Sequence, residues 1–201
     1  MLKRTFFLLA ILSITGCTTI QQQKISYKKA AHTPWPKRLQ HIGKINTWHV
    51  AGSALIKQNK KANIAQFNWQ QHKEKYHLNI NGPLGVGIAT ITGSNRYAKI
   101  ILANGRQAIA SNGEELMQKE LGWSLPIDNF PKWILGIPNT KLVYNKNLQN
   151  NSVLLSLKQQ GWKIYYLQYQ LTNNLLLPKK IVLVNENITI KLSLTNWKIN
   201  K

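Results

Sequence analysis

The stretch ITIKLSLTNW, Ile188 to Trp197, alternates apolar and polar residues along most of its length. Its apolar members are Ile188, Ile190, Leu192 and Leu194, and the polar members between them are Thr189, Lys191, Ser193 and Thr195. Successive side chains of a β-strand point to opposite faces, so this pattern predicts a strand with one face buried in the core and the other exposed to solvent. Because antiparallel sheets commonly bury one face only, the stretch favours an antiparallel sheet.

Shorter alternating segments occur on both sides of a central region. Those before it are NIAQFNWQ, KYHLNI, VGIATIT and YAKIILA, and those after it are VLLSLKQ, WKIYYLQYQL and KKIVLVN. Gly, Asn and Ser separate many of these segments, which is typical of a meander with short turns. The sequence therefore predicts roughly ten antiparallel strands in one domain.

Three short helices are expected beside these strands. The first follows Pro36, where apolar residues recur at helical spacing: Trp35, Leu39, Ile42 and Ile45. In NGEELMQKELGW, Asn112 is the expected N-cap and Gly122 the expected end of the second helix. PIDNFPKWILGIP predicts a third helix, between prolines. The fold expected from these patterns is mainly β, a curved sheet or open barrel whose mouth is filled by helices.

The N-terminus has the layout of an export signal. Lys3 and Arg4 precede an apolar run that is too short to span a membrane, and the chain's sole cysteine, Cys17, follows in ITGC. ITGC resembles the lipobox of bacterial lipoproteins, whereas the alternative is an ordinary signal with a chance cysteine. The resemblance implies a signal peptide at residues 1–16 that is removed and a lipidated, flexible tether at 17–31. A single domain is expected at 32–201.

The amino-acid composition limits the classes of function that the protein can have. The chain has 27 Lys and Arg against 6 Asp and Glu, a net charge of +21. Such a charge favours an acidic protein, phospholipid headgroups or nucleic acid as partner. The few acids form no obvious pair for acid–base chemistry, and His72 and His77 do not suggest a metal pair. We therefore expect no catalytic residue, no metal and no enzymatic activity.

Two other features need an explanation. Trp69, Trp133, Trp162 and Trp197 each lie beside a strand or helix signal, so they either line a cavity for an apolar ligand or fill an ordinary core. The turn NGPLGVG, Asn81 to Gly87, joins two alternating segments yet holds a leucine, Leu84. Either Leu84 folds back onto the core or the turn meets something apolar.

Several of these segments together resemble the LolB family of outer-membrane lipoproteins. They are FNWQQ (Phe67 to Gln71), NGPLG (Asn81 to Gly85), LGWSLP (Leu121 to Pro126), KWILGIP (Lys132 to Pro138), GWKIYY (Gly161 to Tyr166) and IKLSLTNWKI (Ile190 to Ile199). The family's turn usually reads Asn-Pro-Leu-Gly, whereas Gly82 here separates Asn81 from Pro83. An extra residue therefore lengthens or twists the turn.

The resemblance implies an incomplete β-barrel, capped by helices, that encloses a hydrophobic cavity. The family accepts lipoproteins from the periplasmic carrier LolA and inserts them into the outer membrane of Gram-negative bacteria, without catalysis or a cofactor. The implied acyl-chain contacts are Phe67, Trp69, Trp133, Trp162 and Trp197. The implied membrane-insertion loop is Pro83, Leu84 and Gly85, and the lipid is carried by Cys17.

The implied partners are LolA, cargo lipoproteins and outer-membrane phospholipid, and we expect a monomer that does not bind nucleic acid. Three alternatives stay open. The chain could be a structural or envelope-assembly lipoprotein with a filled core, a nucleic-acid binder suggested by charge alone, or a periplasmic hydrolase.

Overall fold

The computed structural model describes residues 28–94 and 96–200. Residues 28–31 are helical, and the three further helices are α1 (Trp35–Gly43), α2 (Gly113–Leu121) and α3 (Phe130–Ile134). A 3-10 turn spans Pro83–Gly85. Its strands are β1 (Thr47–Gln58), β2 (Lys61–His72), β3 (Lys75–Asn81), β4 (Gly87–Ser94), β5 (Tyr97–Leu102), β6 (Gln107–Ala110), β7 (Asn145–Gln149), β8 (Val153–Gln159), β9 (Trp162–Thr172), β10 (Leu175–Asn185) and β11 (Ile188–Ile199).

All eleven strands form one antiparallel sheet, in the order β6-β5-β4-β3-β2-β1-β11-β10-β9-β8-β7. β6 and β7 are the two edges and do not pair with each other, so the barrel is open. The predicted fold class, a mainly β open barrel with short helices, is confirmed.

The stretch Ile188 to Trp197 lies in β11, which pairs with both β1 and β10 near the middle of the sheet. Ile190, Leu192 and Leu194 are buried as predicted, while Lys191 is exposed. The alternation then shifts by one residue, because a bulge places Asn196 at φ 51° and turns Trp197 inward. The strand therefore keeps an apolar inner face along its whole length.

Helices α2 and α3 lie in the connection between the two edges of the sheet, whereas α1 precedes β1. The chain leaves β6, forms α2 and α3 within residues 111–144, and re-enters the sheet at β7. Side chains of this connection pack in the same core as the inner face of the sheet. The topology thus brings apolar side chains of the helices over the open barrel.

α2 forms as its sequence predicts. The Asn112 side chain accepts hydrogen bonds from the backbone N–H groups of Glu114 and Glu115, at 2.9 and 3.4 Å. Gly122 ends the helix in the left-handed region, at φ 78°, where glycine carries no Cβ penalty. An ion pair of 2.6 Å between Arg106 and Glu120 joins the helix to the turn before β6.

The structure differs from the sequence analysis in three strands and in the tether. β1, β6 and β7 were not among the predicted segments, and the helices otherwise lie where they were expected. The last four residues of the predicted tether, 28–31, are helical, and Ala30 is buried against Val153 and Leu176. Within residues 28–94 and 96–200, no helix is long and apolar enough to cross a membrane.

Candidate functional site

An apolar void of about 30 Å³ lies between the inner face of the sheet and the connection that carries the helices. Its lining is entirely apolar: Ala54, Ile56, Ala65, Phe67, Trp69, Leu78, Ile80, Trp123, Leu125, Phe130, Ile190 and Leu192. The volume is about that of one water molecule. The core beneath the helices is therefore apolar and nearly filled.

Small residues create the void from the side of the sheet. Ala54 of β1 faces Ala65 of β2 directly, and both are buried. Beside this pair, Gly52 faces Phe67, and the Phe67 ring lies over it at the place where a Cβ would stand. Larger side chains at Ala54 and Ala65 would fill the void, whereas a Cβ at Gly52 would collide with the Phe67 ring and the Ser193 backbone.

The other side of the void is covered by residues 123–125, which join α2 to α3. Trp123 and Leu125 both contact the void. Among the described residues, no hydrogen bond involves residues 123–125, whereas both neighbouring segments are hydrogen-bonded. Apolar packing alone therefore holds this cover in place.

Trp69 is the centre of an aromatic cluster beside the void. It stacks on Phe130 of α3 with ring centroids 4.9 Å apart, and it also contacts Trp48 and Tyr76. Its indole N–H donates to the Gln71 side-chain oxygen at 2.9 Å, so the buried ring leaves no polar atom unpaired. Of the five predicted acyl-chain contacts, Trp69 and Phe67 line the void.

The other three predicted contacts lie in the core but do not line this void. Trp133 donates from its indole nitrogen to Gln159 at 2.8 Å and packs against Trp162, with ring centroids 6.3 Å apart. Trp197 donates to the carbonyl oxygen of Pro178 at 3.1 Å. All three are buried. Their contact with an acyl chain stays a prediction.

Sequence reasoning missed Ala54, Ala65, Trp123, Leu125 and Phe130 as lining residues. LGWSLP and KWILGIP belong to the family resemblance, but it implies only Trp133 from them as a site residue. The two alanines carry no signal by themselves, since their effect depends on facing each other across two strands.

Leu84 protrudes from the turn between β3 and β4 and is 100% exposed. Its backbone has φ 64° and ψ 16°, a left-handed conformation that costs a residue with a Cβ roughly 1–2 kcal/mol. Pro83 and Gly85 flank it, and Gly85 is also left-handed, at φ 79°. Gly82 donates its backbone N–H to the carbonyl oxygen of Val86 at 2.7 Å, and a register shift at the strand ends leaves Ile88 without a partner across from β3.

Other exposed apolar side chains lie at the same end of the sheet as Leu84. Val86 is 68% exposed and Ile88 39% exposed in the same turn and strand, and Ile64 of neighbouring β2 is 62% exposed. An exposed leucine on a strained backbone gains nothing from water, so this turn is suited to contact with an apolar phase.

Partial or complete loss of contact with water shifts the pKa of Tyr76, Glu114 and Lys132, of which only Tyr76 lies buried in the core. Burial raises the pKa of Tyr76 to about 12, with a further contribution from the Asp128 carboxylate. Burial also raises the pKa of Glu114 and lowers that of Lys132.

No group of three or more His, Cys, Asp or Glu that could hold a metal occurs among the described residues. His72 is exposed and His77 half-buried, and Cys17 lies outside the described residues.

Comparisons with known proteins agree with these features. The model of the family described as "Outer membrane lipoprotein LolB" matches residues 46–197. The outer-membrane lipoprotein LolB of Pseudomonas syringae is 30% identical over 196 residues, which cover 98% of this chain and 95% of the relative. That of Coxiella burnetii is 31% identical over 190 residues, with 94% and 90% covered.

Solved structures resemble the chain in fold at low identity. A LolA superfamily protein from Nitrosomonas europaea superposes with a TM-score of 0.52 at 11% identity, over 89% of this chain and 94% of that protein. A DUF1329 family protein from Desulfovibrio piger gives 0.53 at 9% identity, over 89% and 93%. At such low identity, these similarities show that the fold is shared and show nothing about function.

Proposed function

The chain belongs to the LolB family of outer-membrane lipoproteins, and from this membership we propose that it receives lipoproteins and inserts them into the outer membrane. It accepts its cargo from the periplasmic carrier LolA and shields the acyl chains of the cargo in its apolar core. Transfer needs neither catalysis nor a cofactor. A lipid on Cys17 anchors the chain to the outer membrane, facing the periplasm.

The observation that carries this proposal is the complete exposure of Leu84 on a strained turn. Moving one leucine from water into the bilayer is worth about 1.5–3 kcal/mol. That energy is too small to anchor a protein, but it suffices to place the turn at the membrane surface for a short time. Leu84 thus suits the delivery step, while the lipid on Cys17 supplies the permanent attachment.

The apolar core supplies the shielding. Each methylene group of an acyl chain costs about 0.8 kcal/mol when it is exposed to water, so several chains cost tens of kcal/mol. The void of about 30 Å³ is too small for an acyl chain. We propose that the acyl chain of the cargo enters by displacing Trp123 and Leu125, because residues 123–125, which cover the void, have no hydrogen bonds to break.

A second candidate function is favoured by how well the core is filled. A structural or envelope-assembly lipoprotein of the same fold would need no cavity, and the small void agrees with that role. Binding of a fluorescent fatty acid by the cargo-free protein separates the two. Saturable binding supports the receptor, and its absence supports the structural role.

The test of delivery compares two variants with the wild type. Leu84→Glu places a charge on the turn, and Val143→Glu places the same charge at another exposed apolar residue, outside the turn. The measurement is transfer of an acylated lipoprotein from its carrier complex to outer-membrane vesicles. We expect Leu84→Glu to take up cargo normally but to deliver it at least tenfold more slowly, and Val143→Glu to behave as the wild type.

Equal delivery by all three proteins would show that Leu84 has no part in insertion. Failure of the wild type to accept cargo at all would contradict the receptor function itself.

A further inference from the structure

The charged side chains on the outer face of the sheet are all positive. None of the strands β1 to β11 contains Asp or Glu, and every Lys or Arg on them is a lysine. All six acidic residues lie in turns or helices, or just before a helix. Among the described residues, Arg106 forms an ion pair with Glu120, and no strand lysine is paired with a carboxylate.

The pairing of the strands places these lysines among apolar side chains. One row of outer-face residues crosses six strands in register: Ile64, Leu55, Lys191, Val182, Tyr165 and Ser156. In the next row Lys180 faces Ser193, so Lys180 and Lys191 are diagonal neighbours on β10 and β11. Two unpaired cations at this spacing repel each other, and an anionic partner would relieve that repulsion.

A shallow groove of about 350 Å³ lies along these rows. Lys180 and Lys191 line it together with two protruding apolar residues, Ile64 and Leu167, which are 62% and 61% exposed. The groove therefore combines cationic groups with aliphatic groups that water does not favour.

We propose that this outer face docks on the anionic phospholipid surface of the membrane. Lysine ammonium groups bind headgroup phosphates, and the aliphatic side chains between them enter the interface. Aliphatic residues that protrude singly among flexible lysines suit a fluid lipid surface. A protein partner is typically met by aromatic and arginine anchors in packed pockets. The residues that line the groove include neither an aromatic residue nor an arginine.

The position of the N-terminal segment supports a membrane as the occupant. Ala31 and His32 border a second hollow on this face, which Leu155 and Leu167 also line. Cys17 is eleven residues before Lys28, so the chain between them spans at most about 40 Å. A lipid on Cys17 would therefore keep the start of the domain, which borders this face, within about 40 Å of the bilayer.

The face also adjoins Leu84. β3 runs antiparallel to β2 and ends at Asn81, opposite Gln66, so the turn with Leu84 lies at the same end of the sheet as the β1–β2 turn. Ile64 lies between this end and the groove. A molecule that rests on the groove would thus present Leu84 to the same membrane.

The experiment uses the mature chain from residue 17 with Cys17→Ala, because an attached lipid would bind membranes by itself. The probes are vesicles of phosphatidylcholine, with and without phosphatidylglycerol, at about 0.1 M salt. The face variant is Lys180→Gln/Lys191→Gln. The control is Lys37→Gln/Lys119→Gln, which removes the same charge from exposed positions on α1 and α2. Thermal unfolding confirms that each variant is folded.

We expect the Cys17→Ala protein without further substitutions to bind vesicles that contain phosphatidylglycerol much more tightly than neutral vesicles. The face variant should lose affinity on the order of tenfold, while the control keeps most of it. Ile64→Thr/Leu167→Thr should also weaken binding, by severalfold, without changing its salt dependence.

Equal losses in the face variant and the control would overturn the proposal, because net charge alone would then explain binding. No preference for anionic vesicles would overturn it as well, and would leave an acidic protein as the partner of this face. The assay contains neither carrier nor cargo, so its result does not depend on the proposed transfer function.

Discussion

At the scale of single residues, Tyr76 shows how closely the core is packed. Its hydroxyl is buried, and among the described residues it has no hydrogen-bond partner. A Cβ built on Gly113 would lie 2.6 Å from this oxygen, and one on Gly93 would be closer still. The two glycines therefore make room for the phenol ring but do not satisfy its polar atom.

Replacing Tyr76 by Phe removes a buried hydroxyl that forms no bond. At pH 7 we expect the free energy of unfolding of Tyr76→Phe to stay unchanged or to rise by about 1–2 kcal/mol. The pKa of Tyr76 is about 12 in the folded state and about 10 in the unfolded state. Ionisation of this phenol therefore leaves the free energy of unfolding unchanged well below pH 10 and lowers it as the pH rises towards 12.

Urea unfolding at pH 7 and pH 11 measures this difference. The wild type should lose about 1 kcal/mol more than Tyr76→Phe between these two pH values. Other groups that titrate in this range are common to both proteins and cancel in the comparison. Equal losses would show that the phenol ionises as easily in the folded state as in the unfolded chain.

At the scale of elements, Gln159 of β8 fixes the short helix α3 and the loop after it. Its side-chain oxygen accepts hydrogen bonds from the Trp133 indole at 2.8 Å and from the backbone N–H of Asn139 at 3.0 Å. Its amide nitrogen donates to the carbonyl oxygen of Asn139 at 2.9 Å. Tyr166 of β9 adds a bond to the carbonyl oxygen of Trp133. α3 is therefore tied to the sheet, unlike the cover at residues 123–125.

Gln159→Leu keeps the approximate size of the side chain but leaves the buried Trp133 indole N–H and the half-buried backbone groups of Asn139 without these partners. We expect it to lower the free energy of unfolding by roughly 2–5 kcal/mol. Gln149→Leu, at an exposed position on β7, is the control and should change stability by less than about 0.5 kcal/mol. Urea unfolding measures both, and a small effect at Gln159 would contradict its role in fixing α3.

The elements that the sequence predicts are those with strong local signals. α2 has a capping asparagine, acidic residues in its first turn and a terminal glycine, and each takes its expected place. β1 was missed because Gly52 and Ser53 interrupt its apolar pattern, although pairing with β2 and β11 holds it in the sheet. β6 and β7 are short edge strands, so only their neighbours in space define them.

At the scale of the whole molecule, the site depends on contacts between distant segments. The family resemblance placed Trp69 and Phe67 at the core, and both line the void. It could not show that Trp133 bonds to Gln159 or that Ala54 faces Ala65, since both contacts depend on the register of the strands. Sequence patterns thus predict which residues are buried better than they predict where space remains among them.

The space left by the two alanines leads to a prediction about uptake. Ala65→Leu fills the void from the sheet side and should abolish both fatty-acid binding and cargo uptake, at a cost of about 1–3 kcal/mol in stability. Ala62→Leu is the control, because it enlarges an exposed residue of the same strand. Binding of fluorescent fatty acid and transfer from the carrier complex measure the effect.

Vesicle binding by Ala65→Leu should equal that of the wild type, since the outer face and the turn with Leu84 are unchanged. Uptake would then be separated from membrane contact within one molecule, with the inner face serving the first and the outer face and turn the second. Undiminished uptake by a folded Ala65→Leu variant would show that acyl chains bind elsewhere than in this void.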